Sequence, residues 1–234
     1  MKILKSAAFR EALTAAHAAT GKKGGLIGAF TGHRIDDLPR IPTADTTVFA
    51  ADFIARRVLP GNGQDIPPLA FAHVGMADGI DTAAGLALAR LKREGGVPVT
   101  VNGQTTRLPV QYAAFIPMHG HQDWFRDQQR DWYEEILEGA DLVGYCLDAR
   151  TARGYETANA LTARNGWMLD GLTPTLGGAL LAPIQPTRRP GMLHAFQKGK
   201  PGGTANCMTQ AQKRGIRIQN HWGDFFAEAT AALT

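Results

Sequence analysis

The sequence predicts an α/β fold: a doubly wound, mostly parallel sheet with helices on both faces and a β-hairpin insertion. Three observations predict it. Short apolar runs alternate with segments of helical periodicity along the 234 residues, as strands buried on both faces require. The runs near residues 26–30, 69–74, 111–116 and 142–146 are almost continuously apolar rather than alternating. Two glycine turns, Gly75-Met76-Ala77-Asp78-Gly79-Ile80-Asp81 and Pro201-Gly202-Gly203-Thr204-Ala205-Asn206, fall where such a run gives way to a helical pattern. Main-chain amides at such a junction can close around a phosphate, and the helix start behind them favours negative charge.

The elements follow in order. Residues 3–19 predict a helix, because Ile3, Leu4, Ala7, Ala8, Phe9 and Leu13 recur at helical spacing. We read residues 1–24 as an N-terminal helical extension and 25–234 as the main domain. The run at 26–30 stops at Thr31-Gly32-His33-Arg34, a strand followed by a loop. A helix is expected from 46 to 57, with Val48, Phe49, Phe53 and Ile54 along one face, ended by Pro60-Gly61-Asn62-Gly63. After the strand at 69–74, the first glycine turn opens a small-residue helix to about residue 93. Asn102-Gly103 between two β-prone runs marks a hairpin, taken as an insertion at about 97–110. A strand at 111–116 leads into His119-Gly120-His121 and an aromatic helix at 123–138. A strand at 142–146, a helix at 154–168 and a fifth strand at 179–184 come next. A Pro- and Arg-bearing loop is expected at about 185–199. A helix at 204–214, a strand at 216–218 and a closing helix from Asp224 complete the chain.

Composition narrows the class. Hydrophobic residues are 44% and charged residues 20%, the balance of a globule able to bury a core without staples. No apolar run approaches the roughly 18 residues of a spanning helix, and the N-terminal segment carries scattered charge instead of a signal-like apolar block. Only Cys146 and Cys207 are present. They lack the company of a zinc site, and the expected compartment is the reducing cytoplasm. The formal net charge is +4. Between Asp170 and Asp224 there is no carboxylate, while Arg188, Arg189, Lys198, Lys200, Lys213, Arg214 and Arg217 fall there, so a positive field is expected around the second glycine turn.

The candidate ligand residues are Thr31, Gly32, His33 and Arg34 in the first loop; Gly75, Met76, Ala77, Gly79 and Asp81 in the first glycine turn; Arg164 and Asn165; and Gly202, Gly203 and Thr204. Gly79 would permit a close backbone approach at a helix start, and Asp81 would cap that helix or accept a ribose hydroxyl. Arg164 offers a fork of donors to a phosphate or carboxylate. The Thr204 hydroxyl and the neighbouring amides would bind a phosphate at the following helix's N-terminus. His119 and His121 have no acidic or cysteine partner nearby in sequence, so no metal is expected. Trp124, Phe125, Trp132 and Tyr133 are read as core.

Gly75 to Ala84 resembles the "GLA-GIDTAAH" motif of the DNA-processing protein DprA/Smf. Arg164-Asn165 and Gly202-Gly203-Thr204 are similar to later motifs of the same SLOG superfamily. Thr31-Gly32-His33-Arg34, the helix ending in Tyr133, Ile136, Leu137, Ala140 and Asp141, and the Arg164-Asn165-x-Trp167-Met168-x-Asp170 run resemble its YpsA-like branch, over residues 25–220. The resemblance implies a Rossmann-like pocket for a nucleotide-derived ligand. It departs from the LOG-type hydrolases, whose catalytic glutamate follows the later glycine turn; here Ala205, Asn206, Cys207, Met208, Thr209 and Gln210 follow. The expected function is therefore binding: a sensor or sequestering protein, in a family that also occurs in phages, with no cofactor required. The alternatives are DprA-like handling of single-stranded DNA and LOG-like nucleotide hydrolysis, with Asp81, Asp170 or Glu156 replacing the glutamate. A homo-oligomer without membrane contact is expected.

Overall fold

The computed structural model describes residues 2–22, 25–41, 44–62, 65–148, 155–170 and 190–232, without the side chains of 22, 101, 155–159 and 170. The predicted strand at 179–184, residue 154 at the predicted start of a helix, Arg188 and Arg189, and the Glu156 and Asp170 side chains lie outside that description.

Eight strands are described: β1 (Leu26–Gly32), β2 (Leu69–Val74), β3 (Val97–Val101), β4 (Gln104–Leu108), β5 (Gln111–Met118), β6 (Leu142–Leu147), β7 (Met192–Phe196) and β8 (Arg217–Asn220). Among the described residues six of them form one parallel sheet in the order β6-β5-β2-β1-β7-β8. The helices are α1 (Ser6–Lys22), α2 (Thr46–Phe53), α3 (Ile80–Arg93), α4 (Asp127–Gly139), α5 (Tyr155–Asp170), α6 (Gly203–Lys213) and α7 (Trp222–Ala231). The fold is α/β, doubly wound and Rossmann-like.

Side-chain alternation along the strands builds a core on each face. Ile27 and Ala29 of β1 face Phe9 and Leu13 of α1, Trp167 and Met168 of α5, and Cys207 and Ala211 of α6. Phe30 faces the other way, into a core made by α2, α3, α4 and Phe225 of α7. Tyr112, Ala114 and Ile116 of β5 join that second core, while Ala113 and Phe115 join the first. The chain steps outward from β1 through β2 and β5 to β6 with α2, α3 and α4 on one face. It then returns to β7 and β8 on the far side of β1, and α5 and α6 lie on the opposite face. Right-handed crossovers impose that change of face whenever the winding direction reverses.

Residues before β1 belong to the same layers. Leu4 extends the sheet beside β6, its amide donating to Val143 O (2.9 Å) and its carbonyl accepting from Tyr145 N (3.0 Å). A Cβ at Gly144 would strike the Phe9 ring, so glycine there lets α1 lie flat on β6. The ring of Phe9 meets Phe115 edge-on at 5.0 Å.

Local chemistry explains the element ends. Asp45 caps α2 through Oδ1, which accepts from Thr47 N (2.8 Å) and Val48 N (3.2 Å), a contact typically worth ~1 kcal/mol. The helix then continues as a π-helical turn over Ile54–Val58. Asn102 and Gly103 both take positive φ, 52° and 79°, which gives the hairpin β3–β4 the twist of a primed two-residue turn. Val97 and Val99 of that hairpin are buried in the main core, and all of β4 is exposed.

Two elements differ from expectation. The loop read at 185–199 contains β7, a central strand hydrogen-bonded to both β1 and β8. His194 interrupts its apolar run, and it is accommodated because the ring is buried against His221 and Phe30. The aromatic helix begins at Asp127, because Phe125 is extended and breaks it from a 3-10 turn at His121–Trp124.

Candidate functional site

The helices that follow β1 and β7 lie on opposite faces of the sheet, so a crevice opens between the carboxyl ends of these neighbouring strands. Open α/β sheets place ligand sites at such a point. Here it is a cleft of about 560 Å³, within the usual range of small-molecule sites. Thr31, Gly32, His33 and Arg34 enter it from β1, and Ala77 and Asp81 from the first glycine turn. Arg164 and Asn165 come from α5, and Gly202, Gly203 and Thr204 from the start of α6. Gly75, Met76 and Gly79 are buried and stand behind this lining.

The first glycine turn is a fitted wall. Gly79 has φ 92°, and a Cβ on it would come within 2.3 Å of His33 O. Ile80 N donates to that same carbonyl (3.2 Å). The close approach that glycine permits at position 79 is thus made by the His33–Arg34 backbone, and the ligand approach expected there from sequence has no room. Gly75 has the same role on the other side: a Cβ would sit 2.6 Å from Asp81 Oδ2 and 2.9 Å from an Arg164 nitrogen.

Arg164 clamps the turn. One terminal nitrogen donates to Gly75 O (2.6 Å) and Asp81 Oδ2 (3.0 Å), and the other to Asn165 Oδ1 (2.9 Å). Asn165 in turn reaches Gly203 O at 3.4 Å, so the clamp ties α5 to both glycine turns. Arg164 is 7% and Asp81 4% exposed. Burial raises the Asp81 carboxyl above its ordinary value, and Arg164 and the Ala77 amide oppose that rise. Among the described residues, Asp81 Oδ1 and Arg164 Nε make no well-formed hydrogen bond. Such groups are costly to bury unpartnered, and both residues line the cleft.

The second glycine turn is open. A Cβ at Gly202 or Gly203 would meet nothing within 4 Å, and Gly202 caps α6 without a side chain. Its φ of 151° suits glycine alone. The start of α6 thus lines the cleft with no side-chain cap and no acidic residue in its first turn. The Thr204 hydroxyl donates to Gly32 O (2.7 Å), locking α6 onto the end of β1 and leaving its lone pairs, not its proton, toward any neighbour.

Charge is mixed around this opening. Lys200 pairs with Asp37 at 2.6 Å, which holds Asp37 below the usual carboxylate range. Arg34 is exposed at the rim, where its charge opposes the rise of the Asp78 carboxyl. His33 Nε2 accepts from Lys198 N (3.0 Å), which places its proton on Nδ1. Burial first, then Lys198 and Lys200, lower its pKa against the pull of Asp37. The Asp78 carboxyl is raised by burial, opposed chiefly by the Gly79 amide. The arrangement can hold a phosphate at α6 and offers carboxyl groups to hydroxyl or N–H donors deeper in the cleft.

Other lining residues are not among the ligand candidates read from sequence. Asp78 lies inside a quoted motif, Lys200 in the basic stretch, His121 in the loop after β5 and Trp124 among the aromatics read as core, while Asp37 and Gln129 carry no sequence signal of their own. His119 stacks on Tyr145 at 3.8 Å and His121 is buried beside Tyr133 and Phe125. Among the described residues no three His, Cys, Asp or Glu side chains form a metal-sized group, and no helix is long and apolar enough to cross a membrane. No family model matches the chain, and no curated protein matches it.

Proposed function

We propose that this protein binds a nucleotide-derived, phosphate-bearing small ligand in the cleft between β1 and β7, as a sensor or sequestering protein. Membership of the SLOG superfamily, nearest its YpsA-like branch, is part of the same proposal. The observation that carries it is the open Gly202–Gly203 start of α6, without a side-chain cap, in the same cleft that Asp81 and Arg164 line. A phosphate suits the amides and the helix start, and Arg34 adds positive charge at the rim beside the Lys200–Asp37 pair. Calorimetry with NAD, ADP-ribose, a cyclic nucleotide and a single-stranded oligonucleotide tests it. Binding of one of the small ligands supports the reading. Binding of the oligonucleotide alone, with a steep salt dependence, or no binding at all, overturns it.

A second reading, glycosidic hydrolysis of a nucleotide, is favoured by one observation: the cleft carries two carboxyl groups, Asp78 and Asp81, both raised by burial. A carboxyl with a raised pKa in a cleft is suited to donating a proton to a leaving group. Release of free base from nucleoside monophosphates, lost in Asp78→Asn, supports this reading, and the absence of any release rejects it.

A further inference from the structure

Trp124 stands apart from the aromatic side chains around it. Phe125, Trp132 and Tyr133 are buried, whereas Trp124 is 42% exposed and lines the cleft. An indole left in water forgoes the burial that stabilises its neighbours. Its position is nevertheless fixed. It closes the 3-10 turn His121–Trp124 just beyond the carboxyl end of β5, and the ring of His121 holds it edge-on at 5.1 Å and 61°. His121 is itself buried against Phe125 and Tyr133, and burial keeps it neutral by pushing its pKa down to about 3. Among the described residues no ring stacks face to face on Trp124.

The surroundings match a flat heterocycle. Gln129 and Asp78 share the cleft with Trp124, and the long hydrogen bond of 3.4 Å from the Gln129 amide to Asp78 Oδ1 leaves further hydrogen-bonding capacity on both groups. Together they offer an amide donor and acceptor and a carboxylate acceptor, the complement of a base edge that carries both N–H and ring-nitrogen groups. Leu161 adds an apolar contact from α5.

We propose that Trp124 is the stacking floor for the base of the ligand, with Gln129 and Asp78 at the base edge and the phosphate on the α6 amides. The inference rests on the phosphate-binding reading above and names the ligand class more narrowly: a nucleotide that keeps its base, rather than a sugar phosphate. Base–aromatic stacks lose roughly 5- to 150-fold in affinity when the ring is removed.

The test titrates adenosine 5′-monophosphate, guanosine 5′-monophosphate and ribose 5-phosphate into the wild-type chain, Trp124→Ala and Trp124→Phe by calorimetry. Thermal melts confirm that each variant is folded, as the exposure of this side chain leads us to expect. The expected result is at least fivefold weaker binding of one or both nucleotides to Trp124→Ala, partial retention in Trp124→Phe, and unchanged ribose 5-phosphate binding. A wild-type chain that binds a nucleotide, with Trp124→Ala binding it equally well, overturns the stack and spares the phosphate site. An equal loss for nucleotide and ribose 5-phosphate also overturns the stack. A wild-type chain that binds none of the three overturns the stack, and the phosphate site falls with it when NAD, ADP-ribose and the cyclic nucleotide also fail to bind.

Discussion

Replacing Arg164 by Met keeps most of the side-chain volume and removes the charge that joins the two glycine turns. Three hydrogen bonds are lost, to Gly75 O, Asp81 Oδ2 and Asn165 Oδ1, and Asp81 is left 4% exposed without its cation. Breaking a buried pair from one side costs about 3–5 kcal/mol. In a chain of this length that corresponds to a melting temperature lower by about 6–20 °C. The sign of the pH dependence follows from Asp81. Its folded carboxyl is raised above the 3.8 of the unfolded chain, so between those two values the native state holds more protons. Its contribution to stability therefore falls as pH rises through that window. Without Arg164 the carboxyl rises further and the window extends toward neutrality. The deficit of Arg164→Met relative to wild type is accordingly larger at pH 8 than at pH 5. Adding Asp81→Asn removes the stranded charge, so the double variant loses less than the two single losses combined. Urea denaturation followed by circular dichroism at both pH values measures all of this. A deficit below 1 kcal/mol, or one that grows on acidification, or strictly additive singles, refutes the clamp.

The wild-type protein loses stability below pH 6.5, because burial lowers His194 to about 3 and His221 to about 4. The unfolded chain then takes up protons that the fold does not, which removes about 1 kcal/mol per histidine between pH 6.5 and 5.5; a urea midpoint that is flat across this range contradicts the assignment. Gly79→Ala forces a Cβ against His33 O and strains a positive φ, so it costs more than the 1–3 kcal/mol of backbone strain alone. A melting temperature equal to wild type shows that the wall is not fitted as described.

The parallel sheet was legible because its strands are nearly continuous apolar runs, and Leu69–Val74 coincides with β2. β7 was hidden because His194 looks polar in a list of letters, and only the fold supplies the burial that keeps it neutral and the His221 ring that hydrogen-bonds it. The glycine turns were legible as special backbone, but their roles were not interchangeable. Whether glycine admits a ligand or another stretch of main chain depends on what stands before it: His33 O at Gly79, open space at Gly203. Trp124 was indistinguishable from Phe125 and Trp132 by sequence, since a break in the helix at Phe125 decides which ring stays outside.

Gly203→Asp is the most direct test of the cleft as an anion site. An aspartate at the start of α6 has room and favours the helix by about 0.3–1 kcal/mol, while placing a negative charge where the phosphate would lie. The measurement is ADP-ribose affinity by calorimetry, beside a thermal melt of the same samples. The account predicts a variant that melts no lower than wild type and binds at least tenfold more weakly. Undiminished binding by a folded Gly203→Asp protein contradicts it.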